Sequence, residues 1–174
     1  AGLNPCIIDI EAFALQNIFE INHEVKDENL ALIDIGASKT SLNILKGRNS
    51  VFMRDVSLGC GQINQKIISL VNCSFDESEA IKLGGQTDKI TPEDLKEIVI
   101  GVVSDWCTEI RRAIDFFYST YPDDQIKRIM LSGGGGNIAD FRQLLASETS
   151  SEVTTINPFG NFVLDSSFDP AYIE

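Results

Sequence analysis

The stretch from Leu32 to Leu45, LIDIGASKTSLNIL, constrains what this chain can fold into more than any other. Ala31, Leu32, Ile33 and Ile35 form an apolar run interrupted only by Asp34; Gly36, Ala37 and Ser38 then turn the chain, and Ser41 to Leu45 continues as a second strand. Two antiparallel strands with a tight turn of small residues are predicted. Such a turn lets backbone N–H groups converge on an anion, because no bulky side chain crowds the approach and Gly36 can take a positive φ. Ser38, Thr40 and Ser41 add hydroxyls, and Lys39 adds a cation. Asp34 is the anomaly, since a carboxylate at the end of a buried strand is costly unless a cation, a metal-bound water or backbone donors meet it. On this stretch alone, an ordinary β-hairpin whose Asp caps its own turn fits equally well.

The rest of the chain narrows the choice. At 174 residues, with 43% hydrophobic and 23% charged residues, it is long enough to bury a real core. A formal charge of −12 and a pI near 4.4, with no cluster of Lys and Arg, argue against a nucleic-acid or anionic-membrane surface. No apolar run approaches the roughly 20 residues that span a bilayer, and the N-terminus lacks a basic-then-apolar signal. The composition is cytoplasmic in character. Cys6, Cys60, Cys73 and Cys107 stand far apart, with only His23 to join them as a metal ligand, so they read as buried free thiols.

In chain order, Cys6 to Ile10 reads as a short strand and Glu11 to Ile21 as an amphipathic helix with Phe13, Ile18 and Ile21, beside Ala14 and Leu15, on or near its apolar face. Asn22 to Asn29 is a polar connector. After the hairpin, Lys46 to Ser50 is a turn and Val51 to Val56 a third antiparallel strand, which gives a meander. Ser57 to Gln62 (SLGCGQ) is a glycine-rich loop; Ile63, Ile67, Leu70 and Val71 then recur at helical spacing to about Asn72. Phe75 to Leu83 suits a short helix, which Gly84 and Gly85 stop; helices this short usually serve architecture.

Thr91-Pro92-Glu93-Asp94 is a helix start with cap, proline and acids in their favoured places. From Leu95 through Tyr118 the apolar residues keep a 3.6 period, with Glu109, Arg111, Arg112 and Asp115 as a charged face. Ile126 to Leu131 alternates into a strand that runs into Ser132-Gly133-Gly134-Gly135-Gly136-Asn137, ahead of a helix from Ile138 to about Glu148. Glycines between strand and helix leave backbone bare at a helix N-terminus, which suits a ligand loop better than a linker. Val153 to Ile156 is a short strand, Asn157-Pro158-Phe159 a turn, and Pro170 to Glu174 the first residues of another helix.

This order of parts, a hairpin with a D-x-G-x-x-x-T turn, a long helix carrying E-x-x-R, then strand, glycine run and helix, resembles the second half of the actin-like ATPase (ribonuclease H-like) fold, shared by actin, sugar kinases, DnaK-type chaperones and FtsA. Within it, DIEAFALQN, LIDIGASKTSLNIL, and LSGGGGNIADF followed by INPF look most like the PilM family of type IV pilus assembly proteins. The resemblance covers nearly the whole chain. It implies an α/β fold with a mixed sheet that begins as an antiparallel three-strand meander flanked by helices. Residues 1–24 would close a first actin-like subdomain, and 25–174 would form the second actin-like domain, with a small helical subdomain at about 63–105.

For the site, the resemblance implies that Asp34, Gly36, Ala37, Ser38, Lys39 and Thr40 cradle the β- and γ-phosphates of ATP. Asp34 would also orient Mg²⁺, through water. Glu109 and Arg112 would flank the nucleoside, Arg112 stacking on the base, while Gly133, Gly134, Gly135, Gly136 and Asn137 match the adenosine motif. It also implies a cytoplasmic scaffold, peripheral at the inner membrane, that binds the cytoplasmic N-terminal tail of a PilN-like protein in a groove mostly outside this chain. No nucleic acid and no direct membrane insertion are expected. The family's first phosphate motif has no match here, so the chain reads as a fragment with at most weak ATPase activity when full length and none alone. A sugar- or acetate-kinase-like phosphotransferase and an FtsA-like filament former are the alternatives.

Overall fold

The computed structural model describes residues 2, 4–26, 28–85 and 87–163. Helix α1 (Glu11–Asn22) leads into strands β1 (Asn29–Ile35), β2 (Thr40–Lys46) and β3 (Asn49–Val56). Helices α2 (Gly61–Val71), α3 (Phe75–Lys82) and α4 (Pro92–Thr120) follow, then β4 (Ile126–Ser132), a 3₁₀ turn at Gly134–Asn137, α5 (Ala139–Thr149) and β5 (Glu152–Thr155). The five strands form one sheet in the order β3-β2-β1-β4-β5. The meander is antiparallel, whereas β1–β4 and β4–β5 are parallel.

The apolar character of β1, continuous from Leu30 to Ile35 but for Asp34, follows from its central place, because a strand covered on both faces has no reason to alternate. Ala31, Ile33 and Ile35 point into the main core with Leu42, Ile44, Ile129 and Leu131, under residues of α2, α4 and α5. Leu30 and Leu32 pack on the opposite face with Leu45 and Met130, where Phe19 of α1 covers them. The opening meander is therefore as the residue pattern predicts, and the mixed α/β sheet flanked by helices is as the resemblance implies.

Helix ends follow their local signals. The Thr91 hydroxyl accepts from the Asp94 N–H at 3.1 Å and starts α4, and Ser74 with Glu77 forms a reciprocal capping box on α3. Along α4 the buried face runs from Val102 through Trp106, Ile110 and Ala113 to Phe117, while Leu95, Ile98 and Val99 are only partly covered.

Several expectations need correction. Cys6 to Ile10 is not a strand: Ile7 is 86% and Ile8 92% exposed, and no strand among the described residues offers the segment a ladder. A strand exists only where a partner edge satisfies its backbone. In α1 the buried residue is Phe19, while Ala14 and Ile21 are exposed, because the helix lies against the sheet on its Leu15–Phe19 side. The turn after β2 is tighter than KGRNS suggests, only Gly47 and Arg48, with β3 resuming at Asn49. Only Cys107 of the four cysteines is buried, and Cys6 is exposed. The helix start at Pro170 to Glu174 lies outside the described residues.

Candidate functional site

Three glycine-bearing segments meet at the carboxyl ends of β1 and β4, where open α/β sheets generally place ligands. The β1–β2 turn closes through the Gly36 N–H, which donates to the Lys39 carbonyl at 2.9 Å. Gly36 does this without a positive φ, contrary to the expectation from sequence. The Ser57–Gly61 segment lies directly on this turn. Cys60 N–H donates to the Gly36 carbonyl at 3.0 Å and Gly61 N–H to the Ala37 carbonyl at 2.8 Å. A methyl group on Gly59 would lie 2.6 Å from both carbonyl oxygens, so only hydrogen fits there.

The third segment is the glycine run, and it is folded rather than bare. Gly135 and Gly136 are buried in the 3₁₀ turn, which is held by the Gly136 N–H donating to Gly133 O at 3.1 Å; Gly133, Gly134 and Asn137 are exposed. Gly133 takes φ +76°, and a methyl there would sit 2.4 Å from the Ile35 oxygen and 2.9 Å from Asp34 Oδ1. On Gly135 it would sit 2.4 Å from Ile35 Cγ2 and 3.2 Å from Cys60 Sγ. Bulkless backbone is therefore what lets the three segments close on one point.

At that point stands Asp34, half-buried, opposite Ser132 in the β4 register and Ser41 in the β2 register. Among the described residues no hydrogen bond or ion pair engages its carboxylate. Of the other residues singled out from sequence, Ala37 and Ser38 are exposed on the turn, and Thr40 is buried with its hydroxyl donating to the Leu58 carbonyl at 3.0 Å. Thr40 thereby ties the turn to the segment resting on it. The Lys39 ammonium is already engaged, donating to Glu11 at 2.7 Å and lying 3.4 Å from Asp55. The Glu11 hydrogen bond raises its pKa, and an anion at the turn would compete with these carboxylates for it.

Glu109 and Arg112 form an i,i+3 ion pair on α4. They lie about one and two turns beyond Trp106, whose indole N–H donates to Gln62 at 2.7 Å and whose ring meets Phe141 edge-on at 5.6 Å. Trp106 thus fixes this part of α4 to the starts of α2 and α5. Neighbouring Arg111 donates to Glu148 of α5 at 2.9 Å. Among the described residues, no hydrogen bond or ion pair joins the Glu109–Arg112 pair to Asp34 or the glycine run.

A second acid–base pair was not foreseen. Asn64 of α2 is fully buried, and its Nδ2 donates to Ser78 Oγ at 3.0 Å and Glu79 Oε2 at 2.7 Å. Lys82 completes the ladder, donating to Asn64 Oδ1 at 2.9 Å and Glu79 at 2.6 Å. These bonds hold the Glu79 carboxyl below its ordinary range. Burial raises the Cys60 thiol, and both Lys82 and Glu79 are near enough to act on it. Cys60 in turn borders Gly135 at the glycine junction. The available signal was Glu79-x-x-Lys82, the same spacing as Glu109-x-x-Arg112, in a helix whose shortness suggested architecture alone.

The family model described as type IV pilus assembly protein PilM matches residues 1–173. The PilM–PilN type IV pilus biogenesis complex superposes with a TM-score of 0.82 at 23% identity, over 99% of this chain and 49% of that one. An archaeal actin homolog in complex with ADP gives 0.64 at 15% identity, over 87% and 51%. MreB 5 of Spiroplasma citri bound to AMPPNP gives 0.63 at 14%, over 86% and 54%. At these identities the likeness is one of fold, and it is the actin-like fold. The chain spans about half the length of the structures it matches.

Proposed function

This chain belongs to the PilM family of type IV pilus assembly proteins, and from that premise we propose that it is the ATP-binding actin-like domain of a cytoplasmic scaffold linking the inner-membrane platform of a pilus, or related secretion, machine to cytoplasmic components. In this reading residues 1–24 complete a first actin-like subdomain and 25–174 form the second domain, with the helical subdomain at about 63–105. The partner is the cytoplasmic N-terminal tail of a PilN-like protein. Support comes from the family match and from likeness to a structure described as a PilM–PilN complex.

The observation that carries the nucleotide assignment is the closure of three glycine segments on an unpartnered Asp34 carboxylate. Mg²⁺ favours such a place, since it binds through one or two carboxylates and keeps water and phosphate oxygens for the rest of its shell. Asp34 would hold the ion through water. The Gly36–Thr40 turn would cradle phosphates, with Lys39 exchanging Glu11 and Asp55 for them, and Gly133 to Asn137 would border the nucleoside. Glu109 and Arg112 are the nucleoside pair implied by resemblance; Glu79 and Lys82, an acid–base pair of the same spacing held by Asn64, are the second candidate pair. In-line phosphoryl transfer needs groups on both sides of the γ-phosphate, and these residues supply one side, so hydrolysis by this chain alone is not proposed.

Calorimetric titration of the full-length protein with ATP and Mg²⁺ tests the reading through Asp34→Ala and Gly134→Val. Among the described residues a methyl group on Gly134 meets nothing within 4 Å, so the second change adds its bulk on the open side of the glycine run. At least tenfold weaker binding is expected from each. Unchanged affinity in both would end the nucleotide assignment. Lys82→Ala and Arg112→Ala then rank the two acid–base pairs.

A further inference from the structure

Helices α2 and α4 leave a groove of about 540 Å³ between them, lined by Lys66 and Leu70 on one side and by Asp94, Glu97, Ile98, Gly101, Val102 and Asp105 on the other. Its floor is apolar, and Leu70 stands 59% exposed beside it. Along α4 its rim is acidic, with three carboxylates against the single ammonium of Lys66. Asp94 also accepts from the Thr91 hydroxyl at 2.7 Å; Glu97 and Asp105 have no ion-pair partner among the described residues.

Gly101 makes the groove unusual. Glycine inside a helix costs roughly 1 kcal/mol relative to alanine, a cost usually retained where backbone or ligand must come close. Among the described residues nothing does so, for a methyl group on Gly101 meets no atom within 4 Å. The space is open from outside, midway along a rim that runs about 16 Å from Asp94 to Asp105 at 1.5 Å per residue, or about three helical turns.

We propose that this groove docks a cationic amphipathic helix from a partner protein. The helix lays apolar residues at i, i+3, i+4 and i+7 over Leu70, Ile98 and Val102, passes its backbone close to Gly101, and sets Lys or Arg against Glu97 and Asp105. The surface lies apart from Asp34 and the glycine junction, and its assignment is independent of nucleotide binding.

The probe is a fluorescein-labelled synthetic helix of about five turns, leucines on one face and lysines on both flanks, titrated with this chain and followed by anisotropy; a scrambled peptide of the same composition is the control. Saturable binding is expected, at least tenfold tighter than the scramble. Gly101→Leu should weaken it at least tenfold while leaving the thermal midpoint unchanged or higher, because leucine favours the helix and points into open space. The double change Glu97→Lys with Asp105→Lys should also weaken it tenfold and should instead select a peptide whose flanks are glutamate. Equal binding of peptide and scramble, or undiminished binding to both variants, would overturn the proposal, the former marking mere attraction of a polycation to a chain of charge −12.

Discussion

Gly133 lies at φ +76° with its α-carbon against the Ile35 carbonyl, whereas Gly134 beside it borders open space. Alanine at Gly133 is therefore expected to cost about 2–4 kcal/mol from left-handed strain and the clash together, and at Gly134 about 0.5 kcal/mol or less. Urea unfolding of the two variants checks this, and equal effects would remove the structural distinction between them. His23 is the other residue whose setting makes a sharp statement. Its ring stacks on Phe19 at 5.1 Å, its Nε2 is buried without a partner, and burial, with Arg128 nearby, holds its pKa below the ordinary 6.5. The unfolded chain then binds the extra proton, so stability is full above about pH 6.5 and falls as pH drops below it. Urea midpoints should decline between about pH 7 and 5.5 for the native chain and decline less for His23→Leu. The lowered carboxylates Glu77, Glu79 and Asp124 act in a lower window, with Glu77 held at about 2 by its capping bonds and Lys89.

Helix α4 is the element that ties the molecule together. Its start is local chemistry, and Thr91→Ala is expected to cost about 1 kcal/mol through the lost cap. Its middle is long-range chemistry. Trp106 is fully buried, bonds Gln62 of α2 and packs on Phe141 of α5, so Trp106→Ala should cost about 3–5 kcal/mol and loosen both contacts. Chemical denaturation gives the energies, and amide hydrogen exchange should show the loss of protection reaching the starts of α2 and α5. Protection lost only within α4 would contradict the role given to the indole. Helix α3 illustrates how little length says about role. A capping box starts it, and its Glu79 and Lys82 complete a polar ladder with buried Asn64 of α2, so eight residues carry both a terminal cap and a link between helices.

At the scale of the whole molecule, one sheet covered on both faces carries the proposed site at the carboxyl ends of β1 and β4, with β3 as one of its open edges. Among the described residues, no helix is long and apolar enough to cross a membrane. Actin-like chains include filament formers, and β3 is an unpaired edge of the kind that associates. Two of its residues, Arg54 and Asp55, are exposed and charged, which discourages edge-to-edge pairing. Light scattering of the full-length protein should therefore stay flat on addition of ATP and Mg²⁺, and a sustained rise would favour a filament-forming role.

The meander, the capped start of α4 and the strand–glycine–helix unit were legible in the residues because period, caps and turns are local properties, set within a few residues of chain. Asp34 stood out for the same reason, as a charge in an apolar run. Local pattern could not show that Cys6 to Ile10 lacks a strand partner, that the Ser57–Gly61 segment rests on the hairpin, or that the glycine run buries Gly135 against Ile35 and Gly136 against Leu131. Nor could it show that Lys39 is held by Glu11, 28 residues away in sequence, or that Lys82 reaches Asn64, 18 residues away. Each of these depends on which distant groups packing brings into reach, and a side chain's partner is chosen there, by geometry and burial, rather than by the residues beside it in the chain.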